Sequence, residues 1–565
     1  EALKTEDAHG NNTAIGASAL ATQNAGADAY NVAVGYNAGT ALTTGVDNIL
    51  IGGLAGDALT DADFNVAVGK IALATDTLGS RTTAIGYGAL QSQNFTSATA
   101  TYNTALGYNA GGSVTTGIRN TLIGGLAGDA LTDADLNVAI GYQALSADTL
   151  GSRSVAIGNQ ALLSQNFTSA TDAYNTAIGT DAGLLNTTGI QNTLIGGLAG
   201  DANTTGNFNT SLGYGSLSAN TTAEMNTAIG RTTLQSNTTG ANNTAVGGQA
   251  LQTNTTASNN VAVGFGSLVQ NTTGASNTAV GALSLDANTT GAENVAVGSS
   301  ALSANTTGTQ NVALGASALL ANTSASYNTA VGLLALYQNT TGASNTALGF
   351  QALDGVTTGG DNVGVGYESG AYGTGTVTTG SGNTYVGAFA RAGGGSVAGE
   401  IGIGRFCLSQ GSATATVGYN GNGATISLDG SDTSWAAHSD ERLKENIATS
   451  TAGLSFVNDL RPVTYTWKAK NAISEDFVHY YDADSTEPVN GVAGKTYHGF
   501  VAQEMKATID AHSEVANGNN LWAERVDDIQ QLAPSNLVPM LVKAMQELST
   551  QVDELKSELI ALKGE

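Results

Sequence analysis

The sequence has little charge, almost no proline and a single cysteine. Charged residues make up 11% of 565 positions, against about a quarter in an average soluble domain. Four prolines beside 75 glycines, with no Gly-X-Y period, exclude a collagen triple helix. A hydrophobic content of 41% argues against disorder. Cys407 stands alone, so there is no intrachain disulfide framework, and it reads as a structural free thiol. No run of 18 apolar residues occurs, so no membrane insertion is expected. The net charge of −26 makes nucleic acid a poor partner, because phosphate binding needs clustered basic residues. The chain opens at Glu1 without Met, which reads as a fragment or a processed form.

What is present is a repeat. A marker glycine recurs at 16, 35, 52, 69, 86, 107, 124 and onward to 366, 387 and 404, in 23 units. The step is 17 residues, with three steps of 21 and one of 19. In the unit around Gly298, Val295-Ala296-Val297 has the period of a short strand with one face buried. Gly298 suits positive φ or a close backbone approach. Leu302 supplies a large core side chain, and Asn305-Thr306-Thr307-Gly308 is turn chemistry. One such unit cannot bury its apolar face alone, but stacked copies can. At about 4.8 Å per coil the stack makes a rod of roughly 110 Å. Asn stands four residues before the marker in 20 of the 23 units, which predicts a side-chain ladder along the rod. The Asn-Thr-Thr triplets match the glycosylation sequon formally, but they recur because the turn recurs.

The units come in two kinds. One has Leu four residues after the marker; the other has Ala-Gly, as at Ala38-Gly39, Ala55-Gly56 and Ala127-Gly128, and is confined to the N-terminal half. Residues 35–107 and 107–179 are near-copies, a 72-residue duplication of four units. Two of the 21-residue steps carry Phe95 and Tyr102, then Phe167 and Tyr174, read as loop aromatics that pack on a neighbouring subunit. The only His of the repeat is His9, there is no His/Cys cluster, and no metal or cofactor is expected. This Asn-x-Ala-[Ile/Val]-Gly repeat resembles the heads of trimeric autotransporter adhesins and phage tail-fibre shafts. That resemblance implies a parallel β-roll or β-helix built by three chains.

After Gly387 the repeat decays. Arg391–Ser396 reads as flexible, and 413–418 and 424–428 read as strands. Residues 405–438 form a transition, either a cap on the last coil or a contact surface with Tyr419 and Trp435. From 439 the composition becomes that of an ordinary α+β domain: eleven of the 19 Lys and Arg lie beyond residue 435. A short helix is expected over Leu454–Leu460, a strand over Val463–Trp467, and a strand running into a helix over Tyr497–Met505. Leu541, Met545, Leu548, Val552, Leu555, Leu559 and Leu562 alternate spacings of four and three, the seam of an oligomerising coiled coil over 535–565.

Three ordered motifs precede that seam: Ser439-Asp440-Glu441-Arg442-Leu443-Lys444-Glu445-Asn446-Ile447, Leu460-Arg461-Pro462-Val463-Thr464-Tyr465-Thr466-Trp467, and Gly499-Phe500-Val501-Ala502-Gln503-Glu504. They resemble the peptidase S74 intramolecular chaperone domain that ends phage endosialidases and tail fibres. The resemblance implies that 439–534 aligns three chains and then cuts itself off between Ser439 and Asp440, with Ser439 and Lys444 as the catalytic pair. A lysine amine acts as a base only when burial or a nearby cation lowers its pKa; Arg442 and Arg461 are the available cations, and Glu441 adjoins them. Ser439 cannot simply attack its own carbonyl, because the ring formed would have four members. It acts on another protomer, in an unusual geometry, or by positioning a water that Lys444 activates. His438, His479 and His498 read as structural.

The expected fold is therefore mainly β: a 17-residue-repeat solenoid shaft over 1–404, homotrimeric, followed by a small α+β domain and a coiled coil. The expected function is a self-cleaving phage tail fibre for host attachment, located on the virion and meeting a host receptor or glycan. The alternative is a bacterial surface adhesin with the same maturation domain. A glycan-degrading enzyme is disfavoured, because the shaft has no paired-carboxylate insert.

Overall fold

A computed structural model describes the chain except for residues 6–9, 372, 374–375, 430–435, 438–444, 477–480, 517–520, 525–529 and 565. It divides into two compact units, Glu1–His438 and Ser439–Glu565.

The first unit is a parallel β-solenoid. A three-residue strand precedes each of the 23 marker glycines, from Thr13–Ile15 to Ile401–Ile403. Each strand pairs in parallel with the next coil's strand, without slip: Thr278 opposes Val295, Ala279 opposes Ala296 and Val280 opposes Val297. The marker glycine makes this stacking close enough to work. Gly298 has φ +135°, and an added Cβ would lie 2.6 Å from the Gly315 carbonyl carbon. Backbone conformation and backbone approach both demand glycine there.

The strand's buried face is the small one. Ala296 is fully buried, whereas Val295 faces outward at 37% exposure. Leu302, four residues after the marker, fills the interior instead. It takes a left-handed φ of +52°, a conformation costing a non-glycine residue about 1–3 kcal/mol. Burying a leucine is worth roughly 1.5–3 kcal/mol, which offsets that cost.

The two kinds of unit exchange the large side chain. Where Gly39 and Gly56 replace that leucine, Leu50 occupies the strand centre. Added Cβ atoms on Gly39 and Gly56 would lie 2.6 and 2.9 Å from the Leu50 methyls. Leu122 and Leu194 do the same at 72-residue intervals. Near the far end Tyr385 fills the strand centre beside Gly370, so the exchange is not confined to the N-terminal half. The apolar core runs from Ala19 to Ala199 and resumes at Leu217. Between the two stretches the strand centre is Ser211, hydrogen-bonded to Ser216, and both are buried.

Most of the buried asparagines are satisfied by ladders between coils, Asn260 Nδ2 and Asn339 Oδ1 being exceptions. Asn277 Oδ1 accepts from the Asn294 backbone N–H at 3.0 Å, and Asn294 Nδ2 donates to the Gly308 carbonyl at 2.8 Å. A second ladder uses the turn asparagines from Asn186 to Asn339: Asn305 Nδ2 donates to Asn288 Oδ1 at 2.9 Å and to the Gly308 carbonyl at 3.0 Å. Asn305 is therefore interior, and a glycan on its nitrogen would break two buried bonds. Where the first ladder lacks Asn, at Thr82 and Ser154, other groups replace it. Gln93 Nε2 donates to Asp76 Oδ2 at 2.6 Å and to Thr82 Oγ1 at 3.0 Å, and its oxygen accepts from Asn103 at 2.8 Å. Gln165, Asp148, Ser154 and Asn175 repeat the arrangement. Burial raises the Asp148 pKa.

The inserted loops carry a correction. Phe95 and Phe167 do not face a neighbour; they are buried in their own chain, at 7% and 6% exposure. Their backbone N–H groups donate to Asp76 and Asp148, which draws the loop inward. Tyr102 and Tyr174 stay exposed.

A cap ends the solenoid. Glu400 takes the ladder position and is fully buried. It accepts from Tyr385 at 2.7 Å, from the Gly411 N–H at 2.7 Å and from the Gly393 N–H at 3.1 Å. Burial beside this carboxylate raises the Tyr385 pKa. The glycine stretch after Arg391, read as flexible, is thus tied down by a buried acceptor. Strand Thr414–Tyr419 still pairs in parallel with Ile401–Ile403. It then turns back in an antiparallel hairpin with Asn422–Ser427, which pairs with Ala436–Ala437. Cys407 is buried here, its thiol 3.6 Å from the Thr416 carbonyl and raised in pKa by burial.

The second unit is small and α+β. Strand Val463–Tyr465 pairs antiparallel with Tyr497–Gly499, and Trp522–Glu524 with Gln530–Leu532. Helices α1 (Leu454–Asn458), α2 (Ala502–Ala511) and α3 (Ser513–Ala516) precede the long α4 (Val538–Lys563). Phe456, Met505, Ile509, Val515, Leu521 and Leu537 form its core. No described helix is long and apolar enough to cross a membrane.

Candidate cleavage and assembly site

Ser439, Asp440, Glu441, Arg442 and Lys444 lie outside the described residues, as do His438, His479 and Trp435. Among the sequence-predicted site residues, the structure places Arg461, His498 and the seven seam residues of α4.

Arg461 precedes strand Val463–Tyr465, and Pro462 after it disfavours a helical backbone at Arg461. Glu504 stands in the first turn of α2. Arg461 Nε donates to Glu504 Oε2 at 2.9 Å, and Nη2 pairs with Oε1, giving a bidentate fork. Hydrogen bonding to Arg461 lowers the Glu504 pKa, and the reciprocal bond raises that of Arg461. The second and third sequence motifs therefore meet through this pair. Its charge is already balanced, which weakens Arg461 as a cation for lowering a lysine pKa. Beside it lies a cavity of about 250 Å³ lined by Asp459, Leu460, Phe500, Val501, Met505 and Thr508. His498 is on an exposed strand position opposite Thr464.

Two further contacts tie the elements together. His512 follows α2, with Nδ1 2.8 Å from Glu514 and Nε2 2.8 Å from Asp459. Its ring meets Phe456 edge-on, with centroids 5.4 Å apart. The bonds to Glu514 and then Asp459 raise its pKa, favouring imidazolium with both nitrogens donating. Glu547 of α4 accepts from the Leu454 N–H at 2.8 Å, capping the first turn of α1. That bond chiefly lowers the Glu547 pKa, and Lys543 lies 3.3 Å from the same carboxylate. Sequence reasoning missed His512 and Glu547, because one partner of each, Asp459 and the Leu454 N–H, is distant in the chain. Glu504 was visible as a motif residue, without a role.

On α4 every seam residue is outward. Exposure runs from 40% at Val552 to 75% at Leu562. The spacing of these residues is that of the seam by which helices pair in coiled coils. Among the described residues, no group of three His, Cys, Asp or Glu is placed to hold a metal ion.

Residues 439–513 match the family model described as chaperone of endosialidase, peptidase S74. No curated protein and no solved structure matches the chain.

Proposed function

We propose that the chain is one protomer of a homotrimeric fibre that carries its own assembly chaperone and releases it by cleavage between Ser439 and Asp440. One observation carries this reading. The family match begins at Ser439, and so does the second compact unit. A cut there would leave the solenoid and its hairpin cap whole.

Two apolar surfaces support a multichain state. The outward strand positions, such as Ile15, Leu106, Leu212 and Leu314, are exposed along the shaft. The α4 seam is the other. Burial of such faces is the main driving force of association. The chaperone's task follows from the repeat itself. Twenty-three similar coils offer many wrong registers, and pairing three chains non-locally is slow. A C-terminal clamp raises the effective concentration of the chains and fixes their alignment. Removing the clamp leaves the shaft held by its unfolding barrier. Ser439 and Lys444 are assigned the cleavage. The fibre is assigned to host attachment as a phage tail fibre, and the hairpin tip, where Tyr419 is 62% exposed, becomes its end.

The test is expression of the full chain and of Ser439→Ala, followed by denaturing electrophoresis, mass spectrometry and light scattering. The expected wild type yields a fragment ending at Ser439, and the variant stays whole. A wild type that never yields that fragment would refute cleavage. A monomer in light scattering would refute the fibre.

A further inference from the structure

The strand face of the solenoid has two rims, and their composition differs from the rest of the shaft. One rim is the residue five before each marker glycine, the other the residue one after it. Eight Lys and Arg precede residue 436, and six of them, Lys70, Arg81, Arg119, Arg153, Arg231 and Arg405, stand on these rims. So do fourteen of the twenty aromatic residues up to Gly404. The rims are exposed, as at Tyr30 (55%) and Tyr36 (63%). Aromatic residues and arginine are the types enriched at protein interfaces and their hot spots. A merely solvated surface on a chain of charge −26 has no reason to gather its few cations into two lines.

The rim residues already interact along each line. Arg81 lies over the rings of Phe64 (5.2 Å) and Tyr102 (5.9 Å), and Arg153 over Tyr174 (5.7 Å). Tyr87 stacks on Tyr108 at 5.6 Å, and Phe350 on Tyr367 at 4.9 Å. These contacts hold the side chains in place and lower the entropy lost on further contact.

We infer that the two rims are the seams between copies of this chain, the earlier rim of one copy meeting the later rim of the next at the same coil. This rests on the trimeric reading and adds a register to it. Rotation about an axis parallel to the rod involves no translation along it, so each coil meets its own equivalent. Two of the pairs this creates set a cation beside an aromatic ring: Phe64 meets Lys70 at one level, and Arg81 meets Tyr87 at the next. A cation over an aromatic face is worth about 0.5–1 kcal/mol when exposed and more when desolvated. Slipping one coil in one direction would set Arg81 beside Lys70, two like charges.

Disulfide trapping in the full-length chain tests this. Gln310 and Ala316 are exposed on opposite rims of one coil. The strand between them spans roughly 10 Å, beyond the ~7 Å Cα limit for a disulfide, so a bond between them must join two copies. Gln310→Cys with Ala316→Cys should give covalent trimers on non-reducing denaturing gels. Gln310→Cys with Leu333→Cys, or with Ser299→Cys, sets the pair one coil out of register and should leave single chains. Trapping of an offset pair at the same or higher yield would overturn the inference. So would a soluble trimer in which no pair is trapped, and the trimeric reading would survive both results. A monomeric unmodified chain would instead sink the trimeric reading itself.

Discussion

The shaft and the C-terminal unit solve the burial problem in opposite ways. In the shaft each coil is a nearly interchangeable copy, and its interior is closed by the next coil: Leu against Ala, Asn against Asn, glycine backbone against glycine backbone. In the C-terminal unit the contacts are single and long-range, such as Arg461 with Glu504, His512 with Asp459, and Glu547 with the first turn of α1. Repetition gives stability by addition but leaves register ambiguous. Unique contacts specify one arrangement but build only a small core. A chain that joins the two can take its register from one and its endurance from the other.

That contrast can be broken at its weakest point, α4. Leu548→Asp with Leu555→Asp touches no core residue, so the unit itself should fold while the trimer disappears in sedimentation and the yield of folded shaft falls. A double variant that still sediments as a trimer with a normal shaft would remove the clamp from the argument. In the shaft, the largest single loss should come from Gly298→Ala, which combines positive φ with a backbone clash. A cost above about 4 kcal/mol is expected from that combination, read by circular dichroism melting. Leu50→Ala should cost about 2–5 kcal/mol, because both flanking positions are glycine and cannot fill the space. Adding Gly39→Leu should restore part of the loss by rebuilding the commoner unit. A second change that only worsens stability would show that the two kinds of unit are not exchangeable.

The smallest effect should be one of pH, confined to the C-terminal unit. His512 has a folded pKa raised above the ordinary value near 6.5 by Glu514 and Asp459. Its protonation therefore stabilises the fold fully below about pH 6.5, and the contribution is lost as pH rises through the raised folded value. Two of the three tryptophans, Trp467 and Trp522, lie in the C-terminal unit, so tryptophan fluorescence of a Trp435→Phe background follows that unit and not the coils. Melts followed by fluorescence should shift down with rising pH in that background. His512→Asn should flatten that dependence, and the solenoid signal should not share it. Equal pH dependence in both variants would remove the imidazolium from the account.

Much of this was legible in the chain and some was not, for identifiable reasons. Leu302 and the Asn294 ladder announce themselves by recurring every 17 residues. The second ladder at Asn305 was hidden by a plausible local role, since Asn-Thr-Thr-Gly is also good turn sequence. Phe95 looked external because it sits in an insertion, yet Asp76, 19 residues earlier in sequence, pulls its backbone inward. Glu400 carried no signal of its own in the sequence, and its buried carboxylate holds the cap together. The short helix, strands Val463–Tyr465 and Tyr497–Gly499 and the α2 start of the C-terminal unit followed from local sequence; strands Trp522–Glu524 and Gln530–Leu532 did not. His512 did not, because one of its two carboxylates is 53 residues away.

The sequence by itself determined the period, the stacking of coils, the marker glycine and the change of composition toward the C-terminus. Those follow from spacing and composition, which survive without coordinates. Only the tertiary structure decided which side of each strand is inside. Alternation has a period but no sign: Val-Ala-Val could bury its valines or its alanine. The coil buries the alanine because Leu302 and its equivalents already fill the interior, leaving room for a methyl and no more. The larger side chains on either side of that alanine are thereby turned outward, as Val295 and Leu314 are.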